Sequence, residues 1–171
     1  MDSLSFNDLK GKVCVITGGA GVLGSAMVKA IASVGTKIAI ADINKEVAVK
    51  VAAEIAAASG AQVIGIEANV LDKASLEAAK IEINEKLGDI DILINGAGGN
   101  SPKATTKVET MTEENMDKLE DTFYGLEMEG FDMVFALNFK GTLHPTMVFT
   151  KDMLKNKKGV VLNVSSMNSY K

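Results

Sequence analysis

Val13-Cys14-Val15-Ile16-Thr17-Gly18-Gly19-Ala20-Gly21-Val22-Leu23-Gly24 is the stretch that decides the fold. A short apolar run rich in β-branched residues ends in a glycine cluster, and a helix-like pattern opens directly after it. This order describes a parallel strand delivering the chain to a tight turn. Glycines there let the backbone approach a pyrophosphate, while the next helix aims its free N–H groups at the negative charge. Asp42 ends the following strand pattern, 18 residues beyond Gly24. An acidic residue near this spacing takes the adenosine ribose hydroxyls of a dinucleotide.

Outward from this stretch, apolar runs and helical patterns alternate. Strands are expected at Lys12–Thr17, Lys37–Ala41, Gln62–Glu67, Ile90–Ile94 and Gly159–Val164. Helices are expected at Val22–Val34, closed by Gly35, at Lys45–Ala58, closed by Gly60, and from a cap at Asp72 to Leu87. Repeated strand–helix–strand units predict an α/β doubly wound Rossmann-type parallel sheet with strand order 3-2-1-4-5. The near-continuous apolar strands suit a sheet covered on both faces. The chain of 171 residues reads as a single dinucleotide-binding domain over 1–171.

Gly98 to Gly130 breaks the rhythm with a long polar, acidic connection, expected to be a substrate-side insertion at about 99–130 with a short helix over Thr112–Tyr124. A helix from about Phe131 to Lys155 follows, with a bend expected at Pro145, which cannot donate to the carbonyl of Gly141. Six of the nine methionines lie between Met111 and Met153, which suits adaptable packing or an interface.

Composition excludes several classes. Apolar residues at 47% and charged residues at 23% describe a globular chain, not a disordered one. A net charge of −4 leaves no electrostatic footprint for nucleic acid or an anionic membrane. No apolar run approaches the length of a membrane span, and the acidic, polar start has no signal-peptide pattern. Cys14 alone cannot form an internal disulfide, so a reducing cytoplasm is the expected location and a small buried hydrophobe its expected role. No Cys/His/carboxylate cluster has metal-ligand spacing. His144, the single histidine, has no acidic partner by spacing and reads as structural rather than as a general base.

Four motifs now stand in order: Thr17–Gly24, Asn95-Gly96-Ala97-Gly98, Leu137-Asn138-Phe139-Lys140-Gly141 and Asn163-Val164-Ser165-Ser166. Together they resemble the short-chain dehydrogenase/reductase family, over essentially the whole chain from Leu9 to Lys171. The stretch Asn95–Thr106, Ser165-Ser166-Met167-Asn168 and the long insertion look like its D-mannonate oxidoreductase (fructuronate reductase) branch. The resemblance implies NAD held by Gly18, Gly21, Val22, Leu23, Gly24, Asp42, Asn69, Val70, Asn95, Ala97 and Gly98. It implies Ser166 polarising a substrate oxygen and Asn138 supporting a water relay. The Asp42 carboxylate would repel a 2′-phosphate, which favours NAD over NADP; the lesser alternative is that Asp42 only caps the helix after it, for which Asn44 is an equally good cap. The implied substrate is a sugar acid, D-mannonate or D-fructuronate, with Lys103 and Lys107 as candidate cations for its carboxylate. Members of the family pair through the Phe131–Lys155 helix and the next one, which implies a homo-oligomer.

Three departures from the family pattern stand out. Val22 occupies the middle glycine position of Thr-Gly-x-x-x-Gly-x-Gly, Asn69 stands where Asp is usual, and Gly96 stands for the second Asn of Asn-Asn-Ala-Gly. The Tyr-x-x-x-Lys pair of the family does not occur; Tyr170 is only four residues beyond Ser166. The sequence therefore reads as an N-terminal fragment, itself inactive and marginally stable, with an exposed apolar sheet edge and face. A non-catalytic dinucleotide-binding module is the alternative function. A methyltransferase-type domain using an adenosyl cofactor is the other, disfavoured by the motifs at Asn95 and Asn163.

Overall fold

In the computed structural model, which describes residues 5–166, five strands form one parallel sheet of order β3-β2-β1-β4-β5. They are β1 (Val13–Thr17), β2 (Lys37–Asp42), β3 (Val63–Glu67), β4 (Ile92–Asn95) and β5 (Val160–Asn163). The order and the α/β class are those expected from the sequence. Alternate residues of β1 serve opposite faces. Cys14 and Ile16 pack with Ile38, Ile40 and Ile94 under Val28 and Ala32 of helix α1 (Val22–Ala32) and Ala48, Ala52 and Ile55 of α2 (Lys45–Ser59). Val13 and Val15 pack with Ala39, Ile66 and Leu93 under Leu76, Ala79 and Ile83 of α3 (Lys73–Lys86) and under Val148, Phe149 and Met153.

Helix ends follow local chemistry. Asn44 and Asp72 cap α2 and α3, their side chains accepting from the backbone N–H of Val47 and Ala74. Gly60 closes α2 in the left-handed conformation at φ 72°. The first helix ends two residues before its expected limit, because the N–H of Gly35 turns back to the carbonyl of Ala32 with φ 81° at Gly35.

Two expectations about the middle of the chain are corrected. Thr112–Tyr124 forms no continuous helix; it folds as short 3-10 turns at Glu113–Asn115, Leu119–Asp121 and Phe123–Gly125. The expected Phe131–Lys155 helix begins earlier and is interrupted: α4 (Met128–Phe135), a π turn (Ala136–Lys140), α5 (Gly141–Phe149) and α6 (Lys151–Asn156). Pro145 lies inside α5, and the departure from α geometry falls ahead of it, next to the Gly141 carbonyl that the proline leaves without its N–H partner. Thr142, Thr146 and Thr150 each donate a side-chain bond to the carbonyl four residues back, a pattern that bends helices, and the helix breaks at Thr150.

At the foot of the sheet Asp152 of α6, 6% exposed, ties three elements together. It pairs with Lys80 of α3 at 2.5 Å and accepts from the Asn84 side chain at 2.7 Å and from the Ile90 backbone N–H at 3.1 Å. The fifth strand shows the exposed apolar edge and face expected from the sequence: Val160, Val161 and Leu162 are 40–59% exposed. No helix among the described residues is long and apolar enough to cross a membrane.

Candidate cofactor and active site

The registered strands end on a common line. Thr17, Asn95 and Asn163 are cross-strand neighbours at the carboxyl ends of β1, β4 and β5, and Asp42 pairs with Glu67 at the ends of β2 and β3. Open α/β sheets bind ligands at this edge.

Gly18 leaves β1 at φ 66°, and its backbone lies so close to the next strand end that a Cβ would sit 2.9 Å from Ala97 Cα. Gly24 is enclosed as tightly: a Cβ there would overlap the Gly18 carbonyl oxygen and lie 2.7 Å from Gly19 Cα. These two glycines let the turn fold flat against α1. Gly21 is different, since a Cβ would meet only the Gly18 carbonyl at an ordinary 3.4 Å. Val22, which replaces the family's middle glycine, does not have a positive φ and projects its side chain 89% exposed, so the backbone accepts a β-branched residue there. Leu23 beside it is 73% exposed. Unlike α2 and α3, α1 receives no side-chain cap, its N-cap being Gly21, which leaves the N–H groups of its first turn to be satisfied from outside the helix.

Asp42 faces this turn. One carboxylate oxygen accepts from the Ala20 N–H at 3.2 Å and the other from the Asn44 N–H at 3.1 Å. Asn44, not Asp42, caps α2, which settles the alternative left open by the sequence. Asn69 follows β3 with its side-chain oxygen accepting from Leu71 N–H at 3.0 Å. Val70 is buried and packs on Gly141, where a Cβ would lie 3.0 Å from the Val70 side chain.

The turn after β4 is pinned by a residue the sequence reading did not single out. The hydroxyl of buried Thr17 accepts from the N–H groups of Gly96 and Ala97, at 3.1 and 3.2 Å. Its signal was available as a hydroxyl ending an otherwise apolar strand. Asn95 is 2% exposed and donates to Thr146 Oγ1 at 3.0 Å and to Asn163 Oδ1 at 2.8 Å, joining β4 to α5 and β5. Gly98 and Gly99 run against Asn138 in the π turn. The Asn138 amide donates to the Gly99 carbonyl at 2.7 Å, and its oxygen accepts from the Gly99 N–H at 3.1 Å. A π turn at such a position is a frequent mark of a functional site. Ser166 lies three residues beyond the end of β5, exposed and on the same edge. Met167, Asn168 and Tyr170 fall outside the described residues.

Lys103 and Lys107 are both engaged in surface ion pairs. The Lys103 ammonium lies 2.6 Å from Glu129 and 3.1 Å from Glu127, and Lys107 lies 2.5 Å from Asp121. The Glu129 and Glu127 carboxylates hold Lys103 above the ordinary lysine range, and Asp121 does the same to Lys107. His144 has a buried Nδ1 with no hydrogen-bond partner among the described residues, so it is not half of a base–carboxylate pair. Cys14 is fully buried, and desolvation pushes its thiol up to about 12, leaving it inert.

The edge thus joins a flat glycine turn, an uncapped helix start, a carboxylate beside both, a pinned second glycine turn and two polar side chains, Asn138 and Ser166. The turn and helix start suit a pyrophosphate and the carboxylate a ribose; the second turn and its side chains suit a redox ring and its substrate.

Comparison with known proteins agrees with this geometry. Residues 12–171 match the family model described as short chain dehydrogenase. The chain is 41% identical over 170 residues to an uncharacterised oxidoreductase of Haemophilus influenzae, covering 99% of this chain and 59% of that protein. It is 44% identical over 163 residues to an uncharacterised oxidoreductase of Bacillus subtilis, covering 95% of this chain and 57% of that protein. Among solved structures, a provisionally assigned D-mannonate oxidoreductase of Haemophilus influenzae with bound NAD superposes with a TM-score of 0.88 at 42% identity, over 95% of this chain and 57% of that one. The chain therefore spans somewhat under three-fifths of the length of these relatives.

Proposed function

Because this chain belongs to the short chain dehydrogenase family, we propose that it binds NAD along the carboxyl edge of β1, β2 and β4. The complete protein would then interconvert a secondary alcohol and a ketone on a sugar acid, D-mannonate and D-fructuronate. The observation that carries the cofactor reading is the contact between Asp42 and Ala20: the ribose-type carboxylate is bonded to the glycine turn itself, at 3.2 Å. Gly18, Gly21, Val22, Leu23 and Gly24 would hold the pyrophosphate, Asp42 the adenosine ribose, and Asn69 and Val70 the adenine. Asn95, Ala97 and Gly98 would line the nicotinamide end. Asp42 leaves no room for a 2′-phosphate charge, which supports NAD over NADP. The sugar-acid substrate is supported by the likeness to the NAD-bound structure, provisionally assigned as a D-mannonate oxidoreductase.

When bound, the nicotinamide ring supplies the acceptor or donor of the hydride. In the oxidation direction the carbinol C–H bond breaks with its electron pair, the O–H proton leaves, and a C=O bond forms. Ser166 is assigned to hydrogen-bond that oxygen in both directions. Asn138 holds the Gly99 backbone against the π turn and is assigned to hold the relaying water. The proton acceptor is assigned to a Tyr-x-x-x-Lys pair, in which the lysine lowers the tyrosine pKa. No such pair occurs among these 171 residues. In the complete protein a homo-oligomer is expected.

Fluorescence titration with NADH, with S-adenosylmethionine as competitor, tests the reading. Saturable NADH binding that S-adenosylmethionine does not displace is the expected result. Absence of NADH binding at millimolar concentration, or displacement by S-adenosylmethionine, would overturn it.

A further inference from the structure

The insertion between β4 and α4 leaves Gly98 and returns to the same helix that carries Asn138. Two pins hold its first five residues to that helix. The first is the two-point bond of Asn138 to the Gly99 backbone. The second is Lys103. Its ammonium bridges Glu127 and Glu129 at the start of α4, and its carbonyl accepts from the Glu127 N–H at 2.9 Å. Gly130 brings the two segments into contact, since a Cβ there would lie 2.7–2.8 Å from Lys103 and Ala104 atoms.

The spans match. From Glu129 to Asn138 is nine residues, about 13.5 Å of helix at 1.5 Å per residue. From Gly99 to Lys103 is four residues, at most about 14 Å fully extended. Ser101, midway along the strap, is 4% exposed. The segment 99–103 runs along α4 and the π turn and closes in a 3-10 turn at Pro102–Ala104, where the Ala104 N–H donates to the Ser101 carbonyl at 3.0 Å, so a short, folded strap joins the two pins.

We infer that Lys103 is a positioning residue for the cofactor: by anchoring the far end of this strap to Glu127 and Glu129, it fixes the Gly96–Gly99 turn and Asn138 relative to each other. The ammonium acts through the strap and touches neither cofactor nor substrate. This inference rests on the NAD reading above and replaces the substrate-carboxylate role that the sequence suggested for Lys103.

A charge reversal and its compensation test it. Lys103→Glu places a third carboxylate beside Glu127 and Glu129; adding Glu127→Lys and Glu129→Lys restores the attraction with the signs exchanged. Two readouts are taken on the same proteins: the NADH dissociation constant by fluorescence, and the rate of chymotrypsin cleavage after Phe123 and Tyr124. These two aromatics lie inside the pinned loop and are 69% and 72% exposed. Expected are an NADH affinity about fivefold weaker and a several-fold faster cleavage in Lys103→Glu, with both returning to within about twofold of the parent in the triple variant. Where the reversal prevents folding, Lys103→Met removes the pin without adding repulsion and must shift both readouts in the same direction.

Unchanged affinity with faster cleavage would show a pin that positions nothing and overturn the inference. Failure of the triple variant to restore affinity would assign the effect to the ammonium itself and also overturn it. If the parent chain binds no NADH, the cofactor reading fails, and the positioning role fails with it. The existence of the pin is still decided separately by the cleavage rates.

Discussion

Replacing Asp152 by alanine removes one half of a buried ion pair and leaves the other half stranded. The carboxylate is 6% exposed, and the Lys80 side chain it meets at 2.5 Å is 15% exposed. It also satisfies the Asn84 amide and the Ile90 N–H. Breaking such a pair from one side costs about 3–5 kcal/mol, because the remaining charge is buried without compensation. That is a large part of the roughly 5–15 kcal/mol that holds a domain together. With a urea slope of about 1–3 kcal/mol per molar, the unfolding midpoint should fall by on the order of 2 M at neutral pH. The double variant Lys80→Met/Asp152→Leu should recover most of the loss, since no charge is then left buried. The pH dependence has a definite sign. Burial pushes the Asp152 carboxyl up, but the bonds from Asn84, Lys80 and Ile90 outweigh it and hold the group below the ordinary aspartate range. A depressed folded value means stability that is present above about pH 4 and lost as the pH falls through the folded value. The difference between parent and Asp152→Ala should therefore shrink on acidification. The assay is urea unfolding followed by far-UV circular dichroism between pH 3 and pH 7. A midpoint shift under roughly 0.5 M at pH 7 with unchanged slope, or a double variant no more stable than the single, would refute the reasoning.

Other outcomes follow from the glycine turn and the buried thiol. Gly24→Ala forces a Cβ onto the Gly18 carbonyl, so NADH affinity should fall more than tenfold, with about 1–3 kcal/mol of stability lost in a thermal melt. Gly21→Ala meets only an ordinary contact and should stay within about twofold of the parent in the same titration. Asp42→Ala removes the carboxylate proposed to hold the ribose and should weaken NADH binding by roughly tenfold or more, while binding of NADPH holds or improves. The preference ratio between the two cofactors is the quantity to measure. Cys14, with its thiol pushed up to about 12, should resist iodoacetamide at pH 8 in the folded protein and react at the ordinary rate in 8 M urea.

The five strands and their order were legible in the chain because each strand is a short β-branched run and each helix is bounded by its own cap or glycine. Asp42 was legible because it ends a strand at a fixed spacing from the turn. The ends of the Asn138 helix were not. Its π turn lies ahead of Pro145 and of the threonine ladder Thr142–Thr146–Thr150, and the clasp on Gly99 depends on a residue far away in sequence. The insertion's acidity was visible, but not which carboxylates would neutralise Lys103 and Lys107.

By itself the sequence determined the α/β class, the strand order, the flat glycine turn and the acid beside it, since all of these rest on local periodicity, steric freedom at glycine and fixed spacing along one chain. Only the tertiary structure decided that Asn44 rather than Asp42 caps α2, that Thr17 pins the second turn and that Lys103 belongs to Glu127 and Glu129. Those choices are made between groups 3 to 80 residues apart, where several partners of the same chemistry compete and only distance in the folded chain selects one.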